Sequence, residues 1–345
     1  MTIWDGGFTE EMINSFVKWS LLLLAVLHLA GCASEALVQN KSMKRGFNAL
    51  QHESVPWDRP AARKSITDLA DLGANSVVFI AFMEQEGPSS HQVRRSNAVT
   101  MPQLKKAISY AKSHKLHVAL KPQMLVHGSW AGEINHRSAY DWDVWFNNYS
   151  REIIEYAVFA QQQGVDAFVI GTELSRASAH VNWPRLIRQV RRVFRGQLTY
   201  AAHNTEGLIA FPSWDLLDAA SLTFYPSLGP SSEREALQVR VNAAVEKLRI
   251  AAGAINRPLW VMEVGIPSAK GASMKPWEWQ GLKQSRVDLA LQSEVLDIWL
   301  RALDQPWVDG VYIWAWYSNA RAGGQRDTDY TPQNKPAEDV IDRYW

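Results

Sequence analysis

The 345-residue sequence predicts one (β/α)8 barrel of the α/β class, and three observations carry that reading. Eight short strand-like runs recur along the chain, each followed by a helical or semi-helical return. Several runs are apolar at consecutive positions rather than alternating, as parallel strands covered on both faces require. Polar residues end nearly every run. A doubly wound open sheet would place a Gly-rich phosphate turn after the first strand, and none is there.

In chain order, strands are expected at 46–49, 75–82, 116–121, 167–170, 198–202, 220–224, 259–263 and 310–316. Helices are expected at 60–72, 101–114, 142–163, 183–194, 233–252 and 285–304, with a short turn at 214–217 and a closing helix at 336–344. Thr100-Met101-Pro102 is an N-cap pattern with proline in the first turn, and Gly164 is a stop signal.

The formal net charge of +1 argues against nucleic acid as the main partner, since phosphate binding shows as a basic excess. Sixteen tryptophans exceed what packing needs and favour a ligand that stacks on flat aromatic faces. Cys32 is the single cysteine, so neither an intramolecular disulfide nor a cysteine metal cluster can form. Lys18 precedes the apolar run 21–29, which is closed by Leu29-Ala30-Gly31-Cys32. That run is short for a bilayer span and suits a signal-peptide core. Its end resembles the bacterial lipoprotein box, which implies a signal peptide over 1–32, lipidation at Cys32 and export to the cell envelope. A tether over 33–43 and a single catalytic domain over 44–345 would follow. By the same resemblance Ala33 favours the outer membrane. The long acidic leader places the start of translation at Met12. A monomer is expected.

In barrels of this kind the site lies at the C-terminal ends of the strands. The tips read Asn48, Glu84, Lys121 with Gln123, Glu173, His203 with Asn204, Tyr225, Glu263, and Trp314 with Trp316. Glu173 and Glu263 end the fourth and seventh runs, on opposed strands. Two carboxyls facing each other across a narrow mouth can approach to about 5–5.5 Å, the separation a retaining glycosidase uses. One would stay protonated and the other ionised, each displacing the other's pKa.

These residues carry a family resemblance. The chain has Gly46-Phe47-Asn48 on the first strand, Lys121-Pro122-Gln123 on the third and Gly171-Thr172-Glu173-Leu174 on the fourth. It has Glu263-Val264-Gly265 on the seventh, Ile313-Trp314-Ala315-Trp316 on the eighth, and the closing stretch DYTPQNKPAEDVI. From about Lys44 onward it resembles the clan A glycoside hydrolases, most closely family 113, known mainly as endo-β-mannanases. The resemblance implies a retaining mechanism with Glu173 as general acid/base, Glu263 as nucleophile and Tyr225 orienting the nucleophile. It also implies an eighth-strand tryptophan flooring the subsite beside the cleaved bond. Only one of Trp314 and Trp316 is expected to reach the mouth, and Trp316 is chosen as nearer the strand end. Thr172 departs from the asparagine that many clan members place before the acid/base, so the contact to the sugar 2-hydroxyl is expected to be weaker or to come from elsewhere, with Asn204 and His203 as candidates.

Other readings stay open at this stage. Lys121 and Gln123 would bind sugar hydroxyls or pair with Glu84. Trp130 and Trp277 would serve as sugar platforms, whereas Trp142 and Trp145, three apart on a helix, belong to the core. The Arg94-Arg95 pair and the arginines of 188–195 read as solvated faces. His127, His136 and His203 match no ligand spacing, so no metal and no cofactor are expected. Another β-glycan or oligosaccharide substrate, or a silent carbohydrate-binding lipoprotein, are the competing functions.

Overall fold

The computed structural model describes residues 43–278 and 282–345. Among these residues a two-residue strand at Arg94–Arg95 adds antiparallel to the sheet, and eight barrel strands alternate with eight α-helices. They are β1 (Lys44–Leu50), α1 (Ala61–Asp71), β2 (Ser76–Gln85), α2 (Met101–Ser113), β3 (His117–Val126), α3 (Ala139–Gln162), β4 (Ala167–Thr172) and α4 (Trp183–Arg191). There follow β5 (Gln197–His203), α5 (Asn204–Ala210), β6 (Ala220–Thr223), α6 (Arg234–Gly253), β7 (Leu259–Val264), α7 (Leu289–Leu303), β8 (Val308–Tyr317) and α8 (Pro336–Asp342). All neighbouring barrel strands pair in parallel, and β1 pairs with both β2 and β8, which closes the barrel. The signal segment, the lipobox with Cys32, Met12 and the tether up to Ser42 lie outside the described residues, as does Trp279.

Local chemistry sets the boundaries. At α2 the Thr100 hydroxyl accepts the Gln103 N–H, and Gln103 Oε1 accepts the Thr100 N–H at 2.9 Å, a reciprocal capping box. Helix α3 begins three residues earlier than its apolar pattern suggests, because Ser138 Oγ accepts the Asp141 N–H at 3.1 Å and caps it there. Helix α7 begins later than expected, at Leu289, where Asp288 Oδ1 accepts the Leu291 N–H at 3.0 Å. Helix α5 was not expected as a helix, since seven residues give too short a window for periodicity.

Small and aliphatic side chains fill the barrel interior, among them Val78, Ile80, Ala119, Ala167, Val169 and Ala201, together with Trp260, Met262 and Tyr312. The alternate residues, such as Phe47, Phe79, Phe168 and Ile170, pack outward under the helices. The alternation breaks at the mouth. Val169 pairs with Thr199 but Thr172 with Ala201, so β4 carries one extra residue there. Leu222 pairs with Val261 but Thr223 with Glu263, so β7 carries another. Asn48 pairs with Trp314 but Ala49 with Trp316, so β8 carries a third. A bulge reverses the facing of everything beyond it. Each of these three sits at the rim where the polar tips gather.

A candidate active site at the mouth of the barrel

The bulge in β7 aims Glu263. Val261 packs outward and Met262 inward, so strict alternation would send Glu263 to the helix side. The inserted residue turns it into the mouth instead, where it is 5% exposed. Asn48 holds this turn: its Nδ2 donates to the Met262 carbonyl at 2.8 Å and the Ile313 carbonyl at 3.4 Å. Asn48 is fully buried under the rim, so its expected role as a sugar contact is corrected to that of a clamp between β7 and β8.

Three donors converge on the Glu263 carboxyl. Lys121 and Gln123, one strand face of β3, both donate to Oε1, Lys121 in a buried ion pair and Gln123 at 2.8 Å. Tyr225 Oη donates to Oε2 at 3.1 Å. Burial, with the charge of Glu173 adding to it, raises this carboxyl above its ordinary range, and the Lys121 ammonium and the Tyr225 hydroxyl offset that only in part. Burial lowers Lys121 in turn, with Glu263 opposing. An acceptor-only carboxylate satisfies all three donors, so the group is read as the anion. Tyr225 is pushed well up by burial and by Glu263, and stays a neutral donor. The expected alternative for Lys121 and Gln123, pairing with Glu84, is corrected. Glu84 lies toward a short antiparallel strand at Arg94–Arg95, its Oε1 accepts from Arg94 Nε at 2.9 Å, and it does not line the cleft.

The bulge in β4 turns Thr172 inward and delivers Glu173 just past the strand end. Glu173 has a φ of 54°, in the left-handed region that a side chain normally avoids. Its N–H donates to the Ala201 carbonyl at 2.9 Å, which ties the unusual turn to β5. Oε1 of Glu173 receives the Thr223 hydroxyl at 2.6 Å and lies 3.1 Å from His203 Nδ1. Burial pushes the carboxyl up, but His203 and Thr223 outweigh it and hold Glu173 below the ordinary carboxylate range. For His203, burial disfavours the imidazolium and the facing carboxylate more than offsets it.

Both carboxyls open on one cleft of about 840 Å³. Of the expected residues, Thr172, Glu173, His203, Asn204, Tyr225, Glu263, Gln123, Trp314 and Trp130 line it, with Lys121 buried beneath. Trp277 lines it too, 51% exposed. Trp130 is 39% exposed, its ring tilted across His203 at 5.0 Å between centroids. Trp145 is buried, stacked on Tyr149, and Trp142 packs beside it, as core residues should.

The choice of Trp316 is corrected to Trp314. Residues two apart share a face on a regular strand, so spacing alone does not separate them. The bulge at Ala315 does: Trp314 lines the cleft, while Trp316 is turned outward, packed on Phe47 with Nε1 donating to Ser65 Oγ at 2.8 Å. Several site residues escaped the sequence reading, among them Met124, Leu125 and Val126 at the end of β3 and two with a clearer chemical role. Thr223 is a hydroxyl inside the apolar run ASLTF, a signal that was available, and Tyr330 lines the cleft from the closing DYTP stretch. Among the described residues no group of three His, Cys, Asp or Glu side chains is placed to hold a metal.

The profile of Glycoside Hydrolase Family 113 matches residues 46–335. Among solved structures, the family 113 β-mannanase of Alicyclobacillus acidocaldarius, in complex with ManMIm, shares 28% identity at a TM-score of 0.76. That match covers 87% of this chain and 96% of the other. A second family 113 β-1,4-mannanase shares 24% identity with a TM-score of 0.78, over 88% and 98% of the two chains. A family 5 mannosidase from Rhizomucor miehei shares the fold at 11% identity and a TM-score of 0.61, over 88% and 92%. A search of curated proteins finds no match.

Proposed function

The chain belongs to Glycoside Hydrolase Family 113 and is a retaining glycoside hydrolase, and from that premise we propose that it cleaves β-1,4-linked mannan by double displacement at Glu173 and Glu263. The observation that carries the assignment of roles is the contrast in donors around the two carboxyls. Glu263, gripped by Lys121, Gln123 and Tyr225, is the ionised nucleophile. Glu173, more open and held by a hydroxyl and an imidazole, is the group that gains and loses a proton.

In the first step a Glu263 oxygen attacks the anomeric carbon, the glycosidic C–O bond breaks, and the Glu173 proton passes to the departing oxygen. Substrate in the cleft displaces the water around Glu173 and raises its carboxyl toward the protonated form that this step requires. In the second step Glu173 takes a proton from water, the water oxygen bonds to the anomeric carbon, and the ester to Glu263 breaks. Configuration is retained. Trp314 floors the subsite beside the cleaved bond, and Trp130 and Trp277, which also line the cleft, offer flat faces to sugar rings. Thr172 meets the sugar where many relatives of the clan place asparagine.

Reducing-sugar release from mannan, glucomannan, xylan and mixed-linkage glucan, with Glu263→Ala alongside, tests the assignment. Release from the mannans that vanishes in the variant is the expected result. Binding without release would identify a silent carbohydrate binder, and release confined to another polymer would move the substrate.

The Leu-Ala-Gly-Cys stretch supports anchoring of this enzyme in the cell envelope through lipid on Cys32. Expression in a bacterial host should place it in the membrane fraction, and Cys32→Ser should release it. Unchanged partition of the variant would remove the anchor from the account.

A further inference from the structure

The hydrogen bonds beside Glu173 decide where the histidine keeps its hydrogen, an inference that builds on the roles proposed above. The Tyr225 backbone N–H can only donate, so the Asn204 atom that receives it at 3.0 Å is the carbonyl oxygen. The other end of that amide is then the NH2 group, which can only donate, and it lies 3.2 Å from His203 Nε2. His203 Nε2 must therefore accept. In a neutral imidazole an accepting Nε2 leaves the hydrogen on Nδ1. Nδ1 is 3.1 Å from Glu173 Oε1, and the Thr223 hydroxyl reaches the same oxygen at 2.6 Å.

We propose that Asn204 is a positioning residue that locks His203 in its Nδ1–H tautomer, so that two donors fill Glu173 Oε1 and the transferred proton rides on Oε2. Asn204 opens α5 with a φ of 53°, a conformation asparagine tolerates better than most residues, and this places its amide between the Tyr225 backbone and the imidazole. With the opposite tautomer, a bare Nδ1 would face Glu173 and accept its proton through Oε1. The proton would then lie on the line to His203 and not toward the departing oxygen. Trp130 packs tilted across the His203 ring, 5.0 Å between centroids.

The direct test is the imidazole spectrum of the protein labelled with 15N at its nine histidines, with the His203 signals identified by their loss in His203→Gln. In the neutral ring, a protonated Nδ1 and a bare Nε2 are expected. A protonated Nε2, or an averaged mixture of tautomers, overturns the proposal whether or not the protein turns over any glycan. The second test is Asn204→Asp, which keeps an acceptor for the Tyr225 N–H but presents an acceptor to Nε2 and so reverses the tautomer. Acid assistance matters for a sugar leaving group and little for a dinitrophenyl one. The variant should therefore lose about tenfold or more in kcat/KM on mannooligosaccharide and less than about threefold on a dinitrophenyl β-mannoside. Equal losses on the two substrates would show a merely structural role and overturn the proposal.

Discussion

Among the described residues Glu263 receives three donors spread over both oxygens, whereas Glu173 receives two on one oxygen and none on the other. The partner of Glu263 is the ammonium of Lys121, fully buried on a strand. The partner of Glu173 is a titratable ring at the rim, about one-third exposed at its side chain. The difference teaches how one cleft separates two chemically identical groups. A buried cation and donors on both oxygens hold one carboxylate ionised, while donors gathered on a single oxygen leave the other carboxyl able to exchange a proton.

The comparison can be broken most severely at Glu263 itself. Glu263→Ala should lower kcat on mannan by roughly 10⁴-fold or more, since no covalent intermediate can form. Glu173→Gln should lower activity on mannan by about 10²–10⁴-fold while sparing a dinitrophenyl glycoside in its first step. The kcat/KM values on the two substrates read both effects, since kcat also carries the base-assisted second step, and equal losses in kcat/KM for Glu173→Gln would deny it the acid role.

Lys121→Met sharpens the contrast further. Removing the ammonium leaves Glu263 buried without its charge partner and should destabilise the fold by about 3–5 kcal/mol, measured by denaturant unfolding. The sign of the pH effect follows from linkage. Lys121 pulls the Glu263 carboxyl down against burial, so its loss lets that carboxyl rise. The nucleophile is then protonated up to a higher pH, and the acidic limb of kcat/KM should move to higher pH. A limb that stays in place would show that Lys121 does not set the ionisation of Glu263.

The smallest effects belong to the tryptophan pair. Trp314→Ala should raise KM severalfold with the melting temperature little changed. Trp316→Phe should cost about 1 kcal/mol of stability through the lost bond to Ser65, with KM unchanged. The reverse pattern would return Trp316 to the cleft.

The strand runs, the helix faces and the two glutamates were legible because each rests on a periodic or local signal. What alternation could not supply was the facing of the tips. Glu263 and Trp316 both lie beyond an inserted residue, and a bulge is fixed by pairing with the neighbouring strand, which a single run does not display. The same limit explains Asn48, whose amide serves carbonyls on β7 and β8 more than 200 residues away in the chain. Glu84 was misplaced for a related reason. Its strand β2 runs on to Gln85, where a short antiparallel strand draws the carboxylate to Arg94.

The most direct test of the central claim, that Glu263 is the nucleophile of a retaining mannan hydrolase, is trapping with a 2-deoxy-2-fluoro-β-mannosyl fluoride and peptide mass mapping. One added fluoromannosyl mass is expected on the peptide that contains Glu263, with labelling slowed by mannooligosaccharide. A label on the peptide of Glu173, or turnover of the reagent with no labelled peptide, would contradict it.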